Sequence, residues 1–398
     1  MVRRKKRVAI ISENGFYRSV LAISRSLTRI GYEVHILTSN KKFGIIQNLL
    51  KTKYCSNFRF IPDLLKNQER SISYLLKYVK LYQIYTIIPV TDTTSSFLSF
   101  YKDKLNIKIL TPKFSIFYKA INKWETLKLA KKLNISIPKT IEFKNTNEIR
   151  DKIRLKNFKF PLILKPKIRG DKLFGTKLIF KHKDLEYYGK CFNKVGKKLP
   201  FYNYNEPLIQ EFIKGRIYDC CTLSYKGNVK SWLTQVRHRN TESFGGAGVV
   251  NITTETEEII NLSKKLLNFL NWTGPAQVEW IRDKNGNFKL MEINPRFWGT
   301  LQLSIDAGIN FPSLALRLLE GKDPKFRLDY TIGLKKRWLI PEELISVIKD
   351  KKRIFKRLNE FFNFGEFLSS NVVSNIDIDD LRPFFFNLIF SPMIMFLN

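Results

Sequence analysis

The stretch MEINPRFWGT, Met291 to Thr300, decides how this chain is read. It follows NFKL directly, and the apolar positions Phe288, Leu290 and Ile293 give it the pattern of a strand. Side chains two apart on a strand point to the same face. Glu292, Asn294 and Arg296 are therefore expected on one side, a carboxylate, an amide and a guanidinium within five residues.

Working back along the chain, PAQVEWIRD and NFKLMEINP are joined by KNG, in which Asn285-Gly286 is a strong hairpin signal. The turn places Glu279 on the partner strand, on the face that carries Glu292 and Asn294. Two carboxylates facing each other repel. A cation between them removes the repulsion, and hard oxygen donors suit Mg²⁺, with Mn²⁺ as a substitute, bridging nucleotide phosphates. A solvated outer sheet face is the plain alternative. The Asn-Pro-Arg continuation and the lysines upstream favour the metal.

Those lysines lie in FPLILKPKIRGDKLFGTK. Lys165 ends an apolar strand, where an isolated ammonium is costly and an anionic partner removes the cost. The loop behind it carries Gly170 and Gly175, which let backbone N–H groups approach phosphate, with Lys167, Lys172 and Lys177 near. Its spacing is not that of a P-loop.

The chain has 398 residues, 44% of them apolar, enough for two or three packed domains. Its formal charge is +35, which admits nucleic acid, anionic lipid or anionic small molecules as partners. The lysines are spread among Ile, Asn, Phe and Tyr, as composition bias would spread them, so nucleic acid is not the expected partner. Cys55, Cys191, Cys220 and Cys221 form no C-x-x-C pair and there are three histidines, which excludes a zinc or disulfide framework and fits a cytoplasmic setting. His35, His182 and His238 read as structural, solvated or substrate-side groups, and Trp298 as a packing residue. MVRRKKRVAIIS lacks the apolar run of a secretory signal. The apolar tail PFFFNLIFSPMIMFLN is shorter than a membrane span and is expected to dock on the core or to lie at the inner membrane face.

The first hundred residues alternate strand and helix: RVAIIS, YRSVLAISRSLTRIG, YEVHILTS, SISYLLKYVKLYQI and YTIIPVTD. That order predicts a parallel, Rossmann-like sheet. The turn SENGFYR has one glycine, so the dinucleotide fingerprint is missing. Farther on we expect a helix over SIFYKAINKWETLKLAKKLN, strands at ISIPKTIEF, PLILKPK, LIF and PLIQEFI, and a hairpin across Lys226, Gly227 and Asn228. NTESFGGAGVV is expected as a loop, followed by a helix near Glu257 to Asn271. From Gly333 the chain is expected to be helical, with PEELISVIKDKKRIFKRLNEFF the clearest amphipathic segment.

Lys123 in INKWETLKLAKKLNISIP, Lys165 in PLILKP, then IQEFIKG, GPAQVEW and MEINPRFWGT, in this order, resemble the ATP-grasp superfamily, nearest its carbamoyl-phosphate-synthetase-like, predicted carboxylate-amine ligases. The resemblance covers roughly residues 7 to 320. It implies a Rossmann-like pre-ATP-grasp domain over 1–112, a two-subdomain ATP-grasp fold over 113–330 with the nucleotide cleft between the subdomains, and a helical extension over 331–398. It implies that Lys123 and Lys165, with Lys167, Gly170, Gly175 and Lys177, contact ATP phosphates. Glu211, Phe212 and Ile213 would form the hinge facing adenine, and Asp219 would hold the ribose. Glu279, Glu292 and Asn294 would bind Mg²⁺. Arg296 would steady the transferred phosphoryl group, and Arg237 and Arg239 would face the same cleft and the substrate. The phosphate loop RGDKLFGTK departs from the family's serine- or glycine-dense form, and Tyr218-Asp219 stands where a glutamate is usual.

The activity so implied is a ligase in which a carboxylate attacks ATP, giving an acyl phosphate that an amine displaces. RGDKLFGTK and NTESFGGAGVV are the candidate lids. An anionic substrate, such as an amino acid, a peptide or a cell-envelope precursor, suits a basic cleft. A basic, non-catalytic module binding nucleotide, nucleic acid or a membrane surface is the alternative from another class. Carboxylation or carbamoyl phosphate formation ranks lower, because there is one ATP-grasp unit, no Met-Lys-Met segment and no glutaminase-type nucleophile.

Overall fold

The computed structural model describes residues 5–13, 18–39, 51–143, 152–154, 156–168, 176–185, 187, 198–199, 202–203, 207–242, 245–322, 329–350, 354–363, 366 and 369–397. The first layer is a four-stranded sheet. Its strands are β1 (Arg7–Ile11), β2 (Glu33–Thr38), β3 (Asn57–Phe60) and β4 (Ile84–Pro89), in the order β3-β2-β1-β4 and all parallel. Crossover helices α1 (Arg18–Arg29) and α2 (Gln68–Tyr82) cover it. Strands covered on both faces are apolar almost throughout, as Val8, Ala9, Ile10 and Ile11 are, all buried. The short edge strand β3 escapes the periodicity argument.

Helix α3 (Asp92–Phe100) starts from a capping box at Thr91 and Thr94. The single helix expected after it is two, α4 (Phe114–Ile121) and α5 (Lys123–Lys132). Asn122 is extended at φ −82°, ψ 107°, and its side chain accepts hydrogen bonds from the N–H groups of Trp124 and Glu125. An N-cap within an apolar helical pattern restarts the helix.

The second sheet holds β5 (Thr140–Glu142), β6 (Leu162–Pro166), β7 (Lys177–Ile179) and β8 (Pro207–Glu211), antiparallel in the order β5-β8-β6-β7. It keeps a small core of its own, with Phe143, Leu162, Leu164, Ile179 and Ile209.

The largest sheet has seven strands. They are β9 (Arg216–Tyr225), β10 (Asn228–Glu242), β11 (Gly245–Thr254), β12 (Gly274–Arg282), β13 (Phe288–Asn294), β14 (Lys335–Arg337) and β15 (Val372–Ser374), in the order β13-β12-β9-β10-β11-β14-β15. Helix α6 (Glu257–Phe269) packs beside it. Its apolar face shares one core with the first domain, in which Cys220, Trp280 and Leu290 join Ile11 and Phe117. Trp298 is fully buried, edge-on to Phe311.

Two expectations change here. Residues 240–242 and 245–250 are strand where a loop was expected, because β10 runs to Glu242 and β11 begins at Gly245. Of the other expected lid, residues 169–177, residues 169–175 lie outside the described residues and Lys177 starts β7. The C-terminal segment is helical at Leu344–Lys349, Ile354–Phe361 and Arg382–Leu397, and it also gives β14 and β15 to the large sheet. Lys335, Lys336 and Arg337 form a strand despite three charges because each charge is neutralised: Lys335 pairs with Glu366, Lys336 with Asp306, and Arg337 with Glu343.

Candidate functional site

A row of polar side chains crosses the large sheet. Asp219 on β9 is opposite Gln235 on β10 and Glu279 on β12, and Glu279 is opposite Glu292 on β13. Residues directly opposite share a face. Gln277 opposite Asn294 extends the row. The other face is apolar, with Cys220, Val278, Trp280, Leu290 and Ile293 buried.

The strand β13 is not regular. Glu279 pairs with Glu292, but Trp280 pairs with Leu290, which leaves Met291 as an extra residue. This bulge explains why Leu290 and Ile293 both face the core although they are three positions apart. It also aims Glu292 and Asn294 at the polar side.

The row is electrostatically organised. Arg237 grips Asp219 through Nη2 to Oδ1 at 2.7 Å and Nε to Oδ2 at 3.0 Å, and reaches Glu279 Oε1 at 2.6 Å. Gln235 Nε2 donates to Asp219 Oδ2 at 3.0 Å and to Thr300 Oγ1 at 2.7 Å. Asn294 Nδ2 donates to Glu279 Oε1 at 2.8 Å. Burial pushes the Glu279 carboxyl up, Arg237 pulls it down, and the like charges of Glu292 and Asp219 push it up again.

Two lysines approach from other elements. Lys123 heads α5, and its Nζ lies 3.2 Å from Glu292 Oε2. Its backbone N–H donates to Lys167 O at 2.7 Å, fastening α5 to the end of β6. Lys165 on β6 is buried, and its Nζ donates to Gln210 Oε1 at 2.8 Å. Gln210 Nε2 in turn donates to Thr140 Oγ1 at 2.8 Å. Burial pushes the Lys165 ammonium down to about 8, opposed by Glu292 and Glu279 and reinforced by Lys123.

That shift has a consequence for stability. Between about 8 and the ordinary 10.5 the folded chain holds Lys165 neutral while the unfolded chain still binds its proton. Stability therefore rises with pH across that window, by about 3 kcal/mol. Denaturant titrations of the nucleotide-free protein on either side of the window are expected to show the rise, and Lys165→Met to lack it.

Arg296 lies just beyond β13. Its Nε is 2.6 Å from Asp92 Oδ1, and its Nη2 donates to Asn294 Oδ1 at 3.3 Å. Asp92 begins α3, at the carboxyl end of the parallel strands, where open α/β sheets place ligands. Glu13 at the end of β1 lies there too, bonded to Thr91 and with its carboxyl pushed up by burial.

The remaining expected residues are placed as follows. Glu211 ends β8; its Oε1 accepts from the Lys139 N–H at 2.8 Å and from Lys289 Nζ at 3.3 Å, with half-buried Phe212 and Ile213 next. Lys167 pairs with Glu142 at 2.6 Å, and Lys177 lies half-buried on β7. Gly170, Gly175 and Lys172 lie outside the described residues.

Asp219 differs from expectation. It is fully buried, and both its oxygens are taken by Arg237 and Gln235, so it orients the arginine instead of presenting a free carboxylate to a ribose. Arg239 differs as well. Arg237 pairs with Asn251 and Arg239 with Val250, so His238 is an extra residue and the two arginines do not share a face. Arg239 instead joins Glu343 and Glu360 in the C-terminal ion network.

Among the described residues no three His, Cys, Asp or Glu side chains gather as a metal cage. Glu279, Glu292 and Asn294 nonetheless offer two carboxylates and an amide oxygen. Protein cations, Arg237 and Lys123, already neutralise those carboxylates. Such a donor set fits a hard divalent cation with further ligands from phosphate. Sequence reasoning missed Gln210, Thr140, Gln235 and Asp92. A polar residue at an inward position of an apolar strand, such as Gln210 in PLIQE, is the signal that would have found the first.

Residues 205–339 match the family described as ATP-grasp in the biosynthetic pathway with Ter operon. That stretch includes Arg237, Glu279, Glu292, Asn294 and Arg296; Lys123 and Lys165 lie before it. Several solved structures share the fold. Biotin carboxylase from Campylobacter jejuni, as its β-γ-ATP complex, is 14% identical with a TM-score of 0.66, over 83% of this chain and 74% of that one. L-amino acid ligase from Bacillus licheniformis is 20% identical with a TM-score of 0.61, over 80% and 75%. N5-carboxyaminoimidazole synthetase from Staphylococcus aureus, complexed with ADP, is 15% identical with a TM-score of 0.63, over 84% and 82%. No curated protein sequence matches the chain.

Proposed function

We propose, from the premise that the chain belongs to the ATP-grasp superfamily, that it is an ATP-dependent ligase: it activates a carboxylate as an acyl phosphate and joins it to an amine, releasing ADP and phosphate. The observation that carries this reading is the convergence of Lys123 and Lys165, from two separate elements, on the Glu279, Glu292 and Asn294 face.

Phosphoryl transfer asks a protein mainly for positioning and charge neutralisation. Lys165, held by Gln210, and Lys123 bind phosphate oxygens. Lys123 exchanges its contact with Glu292 for phosphate as the nucleotide enters. Glu279, Glu292 and Asn294 would hold Mg²⁺ or Mn²⁺, which would supply charge neutralisation for the transfer. Arg296, steadied by Asp92 and Asn294, is placed to neutralise the acyl phosphate and orient the attacking carboxylate. Arg237 sets the charge and position of Glu279.

The test uses amino-acid and short-peptide pairs screened for ADP release, followed by a carboxylate labelled with oxygen-18. Label in the released phosphate is expected, since the attacking carboxylate oxygen stays with phosphorus when an amine takes the acyl group. Unlabelled phosphate with a coupled product would overturn the acyl phosphate.

A further inference from the structure

We infer that the C-terminal segment is a docking surface for a lipid bilayer that carries anionic headgroups. More than half of the large apolar side chains left exposed among the described residues lie from Ile332 onward. They are patterned. In the helix Arg382–Leu397, Pro383 and Phe386 are buried against the body of the protein, while Leu381, just before it, and Phe385, Leu388 and Ile389 are exposed. Spacings of four, three and one put these four on one stripe. In Ile354–Phe361 and the residue after it, Phe355 and Phe362 are seven apart and exposed, at 86% and 56%.

The exposed charge around these stripes is mostly basic. Exposed Lys349, Lys356 and Arg382 directly adjoin exposed Ile348, Phe355 and Leu381. The neighbouring acids are turned inward: Asp350 pairs with Arg357 at 3.2 Å, Glu360 with Arg239 at 2.7 Å, and Asp377 with Arg25 at 2.9 Å. Asp379, unlike these three, stays exposed, 3.7 Å from Arg29. An apolar stripe edged by free cations suits a bilayer interface with anionic headgroups. A second copy of the chain would set like charges against each other. The last helix has 16 residues, about 24 Å, against the roughly 30 Å of a hydrocarbon core, and no described helix is long and apolar enough to cross a membrane.

The test is flotation of the full chain with vesicles of phosphatidylcholine alone and of phosphatidylcholine mixed with phosphatidylglycerol. Binding to the mixed vesicles is expected, weakened by salt. The triple variant Lys349→Gln, Lys356→Gln, Arg382→Gln is expected to bind them about a hundredfold more weakly. The triple variant Phe355→Ser, Phe385→Ser, Ile389→Asn is expected to lose binding with an unchanged unfolding midpoint, because these side chains are exposed. No flotation of the unaltered chain with the mixed vesicles overturns the proposal. So does equal flotation of all three proteins, or an apolar variant that only converts a dimer to a monomer in sedimentation.

Discussion

Glu292→Gln is expected to lower ATP-dependent ADP release by about 10²- to 10³-fold, the usual cost of removing one group that stabilises transferring charge, while leaving the fold intact. The exchange keeps the shape and hydrogen-bonding reach of the side chain. It removes one of two carboxylates facing each other across β12 and β13. Glu279 is then relieved of a like charge that pushes its carboxyl up, which offsets the loss of the Lys123 contact. The unfolding midpoint should therefore stay near that of the unaltered protein. Unchanged turnover in this variant would remove Glu292 from the reaction.

Asp219→Ala is expected to act in the opposite sense, through stability. Asp219 is wholly buried and holds Arg237 by two hydrogen bonds, with Gln235 completing its shell. Deleting Asp219 takes one of the two carboxylates from Arg237 and leaves Glu279 as the other, so the loss is expected at about 3 kcal/mol, the lower end for a broken buried ion pair. For a chain of 398 residues that corresponds to a midpoint about 4 °C lower. Truncating Arg237 as well, in Asp219→Ala with Arg237→Met, is expected to cost further stability, since buried Glu279 then loses the cation that neutralises it. An Asp219→Ala protein that melts normally but loses nucleotide affinity would instead restore the ribose role.

These two cases mark what was legible in the sequence. The hairpin signal Asn285-Gly286 and the acidic pair Glu279 and Glu292 act over a few residues, so periodicity and turn chemistry sufficed to bring them together. The parallel first sheet was legible for the same reason, because its strands are continuous apolar runs. Arg237 and Arg239 were not separable, because an extra residue at His238 reverses a face and no local rule announces it. The partner of Arg237 was equally hidden: Asp219 is adjacent only after β9 and β10 pair. The same holds for Asp92, which meets Arg296 from 204 residues away. Asn122 was passed over as part of one continuous helix, although a cap residue inside a helical pattern is a local signal.

The proposed function rests on a metal-nucleotide site built from Lys123, Lys165, Glu279, Glu292 and Asn294. Calorimetric titration of the purified chain with ATP, with and without Mg²⁺, tests it most directly. Binding that Mg²⁺ tightens is expected, with the Mg²⁺ effect absent in Glu292→Gln and the nucleotide heat itself lost in Lys165→Met. Absence of any nucleotide heat from the folded, unaltered protein, or an Mg²⁺ effect that survives in Glu292→Gln, would contradict it.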